Sequence, residues 1–378
     1  MKRIFHFAQD DDTSGFFPQL ARLHDRNRFE MLFGTLNPIA PWLRDYMEGQ
    51  GVRCISLDCR SRSEYSAGLL RLAAVLRRER VDILHTHLFE PSVIGLGAGY
   101  AARTPLRVLT RHYSDYHTRI NKRWHVRLDQ MCTGLSHGVI AVSQHTADHM
   151  ISEENAPPEK VRVIMNGIDF ERVRVSGPEA AARVRAQFDV GDGYLLLVAA
   201  RLHPEKGYEY LFRAMPAIRR MANRPVTLVV AGKGTYEAEY RSLVQELGCG
   251  EQVQFLGFRK DLPDLMAAAD LFVLPSLAEA FGLVLTEAIY LGTPVVASRT
   301  GGIPEIVEEG VDGVLVPAGD SDALAAAIVD RLHDPDRGRL GERARERITN
   351  RFDFGVMLRS YEGFYQELEG RTRGRLHG

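Results

Sequence analysis

The chain has 378 residues, 45% hydrophobic and 26% charged, with 48 basic against 49 acidic side chains and a formal net charge of -1. This balance excludes intrinsic disorder and collagen-like repeats, and it argues against a protein built to wrap nucleic acid. At about 150 residues per domain, the length accommodates two domains with substantial cores.

In chain order, a β-type run at 3–8 is followed by a helix at 17–25 and a second strand at 29–33. Strands follow at 52–57, 81–85, 107–110 and 138–142, separated by amphipathic helix-length segments such as 67–78 and 123–133. That alternation specifies a parallel, doubly wound sheet. A polar stretch at 171–179 breaks the pattern, and Ser176-Gly177-Pro178 supplies turn residues. The pattern then restarts with strands at 194–199, 226–231, 253–256, 271–275, 294–297 and 313–316. The expected class is α/β, with two Rossmann-like doubly wound domains, 1–175 and 176–355, facing a central cleft. Segment 356–378 begins as an amphipathic helix with Phe364, Tyr365 and Leu368 on its apolar side, and is expected to pack back on the first domain.

Cys54, Cys59, Cys132 and Cys249 form no metal-ligand spacing and no disulfide framework, which fits a reducing, cytoplasmic setting. The first apolar run turns polar at Gln9, too early for a signal peptide. The richest apolar stretch, 265–297, carries Asp270, Glu279 and Glu287, so it does not span a bilayer.

Chemistry concentrates in the second half. Glu279 precedes a helix that starts near Gly282 and carries Glu287. The backbone N–H groups of Phe281, Gly282 and Leu283 at that helix start suit a phosphate, while the carboxylates can accept hydrogen bonds from sugar or ribose hydroxyls. Alternatively, Glu279 is a helix N-terminal charge and Glu287 a solvated residue. Arg201 sits at the carboxyl end of the 194–199 strand, with Lys206 brought beside it by Pro204 and Gly207. Two cations there point to a diphosphate, against the plainer reading of surface charges near Glu205. Gly232-Lys233-Gly234 is half of a dinucleotide fingerprint, since Glu237 stands where the last glycine belongs.

The ordered set Arg201, Lys206-Gly207, Gly232-Lys233-Gly234, Gly257-Phe258, Glu279-Ala280-Phe281-Gly282, Glu287-Ala288, Gly301-Gly302 and Pro304-Glu305 resembles the retaining glycosyltransferases of the family-4 type, which have the GT-B fold. In the first half, His85-Thr86-His87, Thr110-Arg111-His112, Val142-Ser143 and Asn166-Gly167-Ile168-Asp169 are similar to that family's landmarks. The resemblance implies that Arg201 and Lys206 hold the diphosphate of a UDP- or GDP-sugar, that Glu279 contacts the transferred sugar and that Glu287 grips the ribose. It further implies backbone help from Phe281, Gly282 and Leu283, a base near Phe258 and Arg259, close approach at Gly232 and Gly234, and a place for His112 beside the reacting sugar. The implied catalytic set is His112, Glu279, Arg201 and Lys206, acting without a metal or other cofactor. Gly15 and His87 fall on the acceptor side, although a single glycine stands where the family usually shows a pair.

Asp10-Asp11-Asp12 could suggest a metal but equally favours the next helix N-terminus. His85 and His87 share one face of a strand and read as packing residues sooner than as ligands. Basic stretches, Arg60, Arg62, Arg71, Arg77, Arg78 and Arg80 in one and Arg119, Lys122, Arg123, Trp124 and Arg127 in the other, form either a surface for an anionic membrane bearing a lipid-linked hydroxyl acceptor or solvated helix faces. Glycan, polysaccharide or glycolipid synthesis is the expected setting. Rival readings are a nucleotide-sugar epimerase and a non-catalytic nucleotide-sugar binder of the same architecture.

Overall fold

The computed structural model describes residues 1–9, 15–115, 122–334 and 340–374. The first compact unit comprises Met1–Gly167 together with the C-terminal segment that begins at Phe354. Its sheet contains β1 (Lys2–Ala8), β2 (Phe29–Thr35), β3 (Arg53–Ser56), β4 (Ile83–His87), β5 (Leu106–Arg111), β6 (Gly138–Ala141) and β7 (Val161–Val163). All pair in parallel, in the order β3-β2-β1-β4-β5-β6-β7. Strand β1 is buried on both faces because both are covered. Phe5 and Phe7 pack with Leu57, Leu72 and Leu84, while Ile4 and Ala8 pack on the opposite face with Phe354, Tyr361 and Tyr365.

The last helix, Phe354–Gly374, explains that second face. Phe354, Met357, Leu358, Tyr361, Phe364, Tyr365 and Leu368 recur every three or four residues and are buried against β1, β4, β5 and β6 side chains. Each fully buried aromatic or leucine contributes roughly 1.5–3 kcal/mol, so this helix is part of the core. The sequence reading has no strand at β7, which is only three residues long and incompletely buried, and no helix at Gln144–Ser152.

The second unit is Ile168–Asp353. Its sheet contains β8 (Tyr194–Ala199), β9 (Val226–Ala231), β10 (Val253–Gly257), β11 (Leu271–Leu274), β12 (Val295–Ser298) and β13 (Gly313–Val316), in the order β10-β9-β8-β11-β12-β13. Leu196, Val198 and Leu228 pack against Tyr208, Phe212 and Met215 of the Tyr208–Met221 helix. The sequence places the domain boundary at 175/176, whereas the second unit already begins at Ile168. There the Ile168 N–H donates to the Phe352 carbonyl at 2.8 Å, a tie between distant residues that hydrophobic periodicity does not register.

Both sheets reverse strand order, at β1/β4 and at β8/β11. In doubly wound sheets, ligands bind beyond the carboxyl ends of the strands at such a reversal.

Candidate active site

In the second unit, β8 and β11 are adjacent, with Leu271 opposite Leu196. Chain leaving β8 makes a 3-10 turn, Pro204–Lys206, ended by Gly207 at φ 65°. A Cβ on Gly207 would lie 1.9 Å from the Pro275 carbonyl oxygen, so only glycine lets the two loops approach this closely. They are stitched by the Leu277 and Ala278 N–H groups, which donate to the Glu205 carbonyl at 2.7 and 3.3 Å. The buried Tyr208 hydroxyl donates to the Ala200 carbonyl at 2.7 Å.

This scaffold sets the charges. Lys206 Nζ donates to Glu279 Oε2 at 2.6 Å, with the side chains 19% and 15% exposed. Arg201 is exposed and has no partner among the described residues. Behind Glu279, its carbonyl accepts the Gly302 N–H at 3.0 Å, and Gly301, at φ 54°, lies so close that a Cβ would fall 1.7 Å from that oxygen. The Glu279 backbone is therefore clamped while its carboxylate faces the Lys206 ammonium.

Gly282, at φ 104°, starts the Leu283–Tyr290 helix. The Leu285 N–H donates to the Gly282 carbonyl at 2.9 Å, while the N–H groups at the very start of a helix lack intrahelical acceptors, so this end favours an anion. The Phe281 side chain is buried with its ring 5.5 Å from that of Phe352, leaving only its backbone for a ligand. One turn further, Glu287 keeps some solvent access, yet protein crowds it and the loss of hydration pushes its carboxyl up to about 7. Its side chain has no partner among the described residues, so its oxygens remain available as acceptors.

Further along the same sheet edge, Gly232 and Gly234 lie against the loop after β8. The Gly232 N–H donates to the Gly257 carbonyl at 2.8 Å, and the Leu202 N–H to the Lys233 carbonyl at 3.0 Å. Phe258, just after β10, is 58% exposed, an accessible aromatic face. Arg259 is committed to Asp261, with Nε 2.7 Å from Oδ1, which holds the guanidinium above and the carboxyl below their usual ranges. The structure thus brings Arg201, Lys206, Gly232, Gly234, Phe258, Glu279 and Gly282 to one edge, with Glu287 behind it.

The first unit presents a different arrangement. Cα register pairs His6 with His85 and His87 with Thr110, so these side chains share a face. His6 Nδ1 is 3.0 Å from His87 Nε2, and His87 Nδ1 is 3.2 Å from His112 Nε2. His85 lies between the Tyr365 hydroxyl and Thr110 Oγ1, at 2.6 Å from each. Burial holds His85 and His87 well below the usual imidazole range and lowers His6 to about 3 and His112 to about 4. The nitrogens of His6, His85 and His87 lie within 4.8 Å of one another, but both nitrogens of His85 and of His87 are already hydrogen-bonded, so a metal would have to displace those bonds.

His87 is buried with both ring nitrogens occupied by histidines, in keeping with the packing reading of that strand face. Gly15, at φ 71°, starts the Phe16–Leu23 helix. The sequence reading missed His6, which two-residue periodicity from β1 could have found, and Glu90, which accepts from Tyr65 at 2.7 Å, Arg62 at 2.6 Å and Gln9 at 3.3 Å.

The expectations at Asp10, Asp11, Asp12 and Arg119 lie outside the described residues. Several of the basic side chains are engaged locally: Arg62 with Glu90, Arg71 with the Leu57 carbonyl, Arg77 with the Ala101 carbonyl and Arg78 with Glu79. Lys122, Arg123, Trp124 and Arg127 are exposed at the start of the Arg123–Leu135 helix. Among the described residues, no helix is long and apolar enough to cross a membrane.

Comparison with known proteins identifies the family. Residues 21–172 match the family described as Glycosyltransferase Family 4, and residues 182–347 match Glycosyl transferases group 1. The chain is 33% identical over 275 residues to an uncharacterised glycosyltransferase of Methanocaldococcus jannaschii, covering 69% of this chain and 68% of that one. It is 31% identical over 330 residues to a D-inositol 3-phosphate glycosyltransferase of Saccharomonospora viridis, covering 82% and 75%. HepE of Anabaena, solved in complex with UDP-glucose, superimposes with a TM-score of 0.82 at 25% identity, over 97% of this chain and 100% of that one.

Proposed function

Because the chain belongs to the family-4 glycosyltransferases, with the GT-B fold, we propose that it transfers a sugar from a nucleoside diphosphate sugar to a hydroxyl acceptor, with retention at the anomeric carbon. The carrying observation is the Lys206–Glu279 pair at the β8/β11 reversal, with unpartnered Arg201 and the Gly282 helix start on the same sheet edge. UDP-glucose in the HepE structure supports a nucleotide-sugar donor, with UDP- and GDP-sugars both to be tried.

As the glycosidic bond lengthens, negative charge grows on the departing diphosphate. Arg201 and Lys206 stabilise that charge, and the first-turn N–H groups after Gly282 add to it. These groups supply the positive charge a metal would otherwise bring, so turnover is metal-independent. Glu279 accepts hydrogen bonds from the sugar and fixes it as oxocarbenium character develops. Glu287, ionised above about 7, accepts from the ribose hydroxyls. The acceptor oxygen forms its bond to the anomeric carbon on the face the diphosphate leaves, and its proton passes to the leaving phosphate oxygen. His112 assists at the sugar. The exposed Arg123, Trp124 and Arg127 face favours peripheral contact with an anionic, cytosol-facing membrane carrying the acceptor.

A thermal-shift screen against UDP-, GDP- and ADP-sugars, with and without EDTA, tests the reading. Stabilisation by one nucleotide class that survives EDTA supports it, and no stabilisation by any of them overturns the donor assignment. Donor conversion without an acceptor would mean an epimerase. Reversing charge at Arg123 and Arg127 should abolish binding to anionic liposomes if the membrane contact is real.

A further inference from the structure

We propose that His6 and His87 are positioning residues for His112: the three rings form one hydrogen-bonded chain that fixes the His112 ring and ties its tautomer to theirs. The role given to His112 rests on the transferase reading above, whereas the chain itself does not.

The argument begins with proton counting. A neutral imidazole has one N–H and one lone pair, and a hydrogen bond between two rings needs one of each. His112 Nε2 faces His87 Nδ1 at 3.2 Å, and His87 Nε2 faces His6 Nδ1 at 3.0 Å. If His112 carries its proton on Nε2, His87 must accept on Nδ1 and carry its own on Nε2, and His6 must then do the same. If His112 carries its proton on Nδ1, the whole sequence reverses. Only two arrangements satisfy both links: all three protonated on Nε2, or all three on Nδ1. Any mixed set leaves two lone pairs or two N–H groups facing each other in a buried site.

The surroundings enforce this. Burial disfavours a charged ring, which would otherwise satisfy a mismatched link. Phe17 stands edge-on to His87 with centroids 5.1 Å apart, and Phe16 stands edge-on to His112 at 5.8 Å, walling the chain laterally. His85 stacks on His87 at 4.3 Å but is tied to Thr110 and Tyr365, so it supports the chain without joining it. The residue before His112 is fixed too: Arg111 is fully buried between Glu154 at 2.8 Å and Asp129 at 3.1 Å. At the outer end, His112 Nδ1 has no hydrogen-bond partner among the described residues and is the atom left to meet a sugar hydroxyl. Whether it donates or accepts there is decided jointly with two rings that never touch the substrate.

Nitrogen-15 spectroscopy of the full chain with labelled histidine tests this directly. The expected result is that His6, His87 and His112 are neutral near pH 7.5 and share one tautomer. A mixed set, or a charged ring among the three, overturns the proposal. His6→Phe, which removes the last link, should shift the His112 nitrogens towards a tautomer mixture and lower kcat about ten- to a hundredfold with the donor KM unchanged. His6→Asn, whose amide reaches the place of Nδ1, should restore both. An unaltered His112 spectrum in His6→Phe overturns the proposal, and if that variant fails to fold, the wild-type tautomer set decides alone. Because the spectrum is read without turnover, a protein with matched tautomers and no transferase activity would sink the functional reading and leave the chain standing.

Discussion

The two strand-order reversals make an instructive pair. At β8/β11 the sheet edge carries formal charge, Lys206 against Glu279 and Arg201 unpartnered, all reachable from solvent. Around β1/β4 the polar groups are buried imidazoles held below their usual range by burial, with His6, His87 and His112 hydrogen-bonded to one another and His85 to Thr110. The same topology therefore serves opposite electrostatics. Charge stands where a charged ligand can complete it, and neutral hydrogen-bonding groups stand where burial would make charge costly.

Substitutions on each side should break this contrast to different degrees. The largest effect is expected on the charged side: Lys206→Ala should lower kcat about a hundred- to a thousandfold, because it removes a cation from the leaving group. A comparable loss from Lys206→Gln, with donor affinity retained, would confirm that charge matters and not bulk. Gly301→Val should follow, since its side chain would collide with the Glu279 carbonyl at a positive φ. The expected outcome is a stability loss of about 2 kcal/mol or more in urea unfolding, with weakened donor binding. On the neutral side, His112→Ala should cost about a hundredfold in kcat and lower the melting temperature by a few degrees, since it leaves the buried His87 Nδ1 without its partner.

A smaller effect concerns pH. The Glu287 carboxyl is raised to about 7 in the folded chain, above its ordinary value near 4.5. The folded state thus holds that proton more tightly than the unfolded one. Its contribution to stability is fully present below about 4.5 and is lost as pH rises through 7. Glu287→Gln should consequently raise the melting temperature by a few degrees at pH 8 and barely at pH 5, while donor affinity in the wild type should strengthen as pH rises through 7. Smallest of all, Arg259→Ala should change donor affinity by about threefold or less, since Arg259 is already committed to Asp261.

The second unit was more legible than the first. Its strands are bounded by glycine and proline, and the charged residues follow the strand ends directly, so Arg201, Lys206, Glu279 and Glu287 could be placed by local reading. The histidine chain could not be, because His6 and His87 come from β1 and β4 and His112 from the residue after β5, which parallel strand order brings together. For His87, sequence gives the strand face but not what covers it. Phe16 and Phe17, from the helix after β1, cover His87, and Tyr361 and Tyr365, from the far end of the chain, cover its neighbour His85. Glu90 escapes local reading for a similar reason: its partners, Gln9 on one segment and Arg62 and Tyr65 on another, are distant from it in sequence.

That far end has a consequence for biosynthesis. The second unit is encoded without interruption from Ile168 to Asp353, whereas the first needs the segment from Phe354 to close its core. A ribosome therefore delivers everything the second unit requires before it delivers the helix that covers β1. During translation the earlier-made half waits with Ile4, Ile83 and Val108 uncovered, and the later-made half is the first able to finish. Truncation before Phe354 should accordingly leave the second unit cooperative and the first prone to aggregate, an asymmetry readable by limited proteolysis of nascent chains.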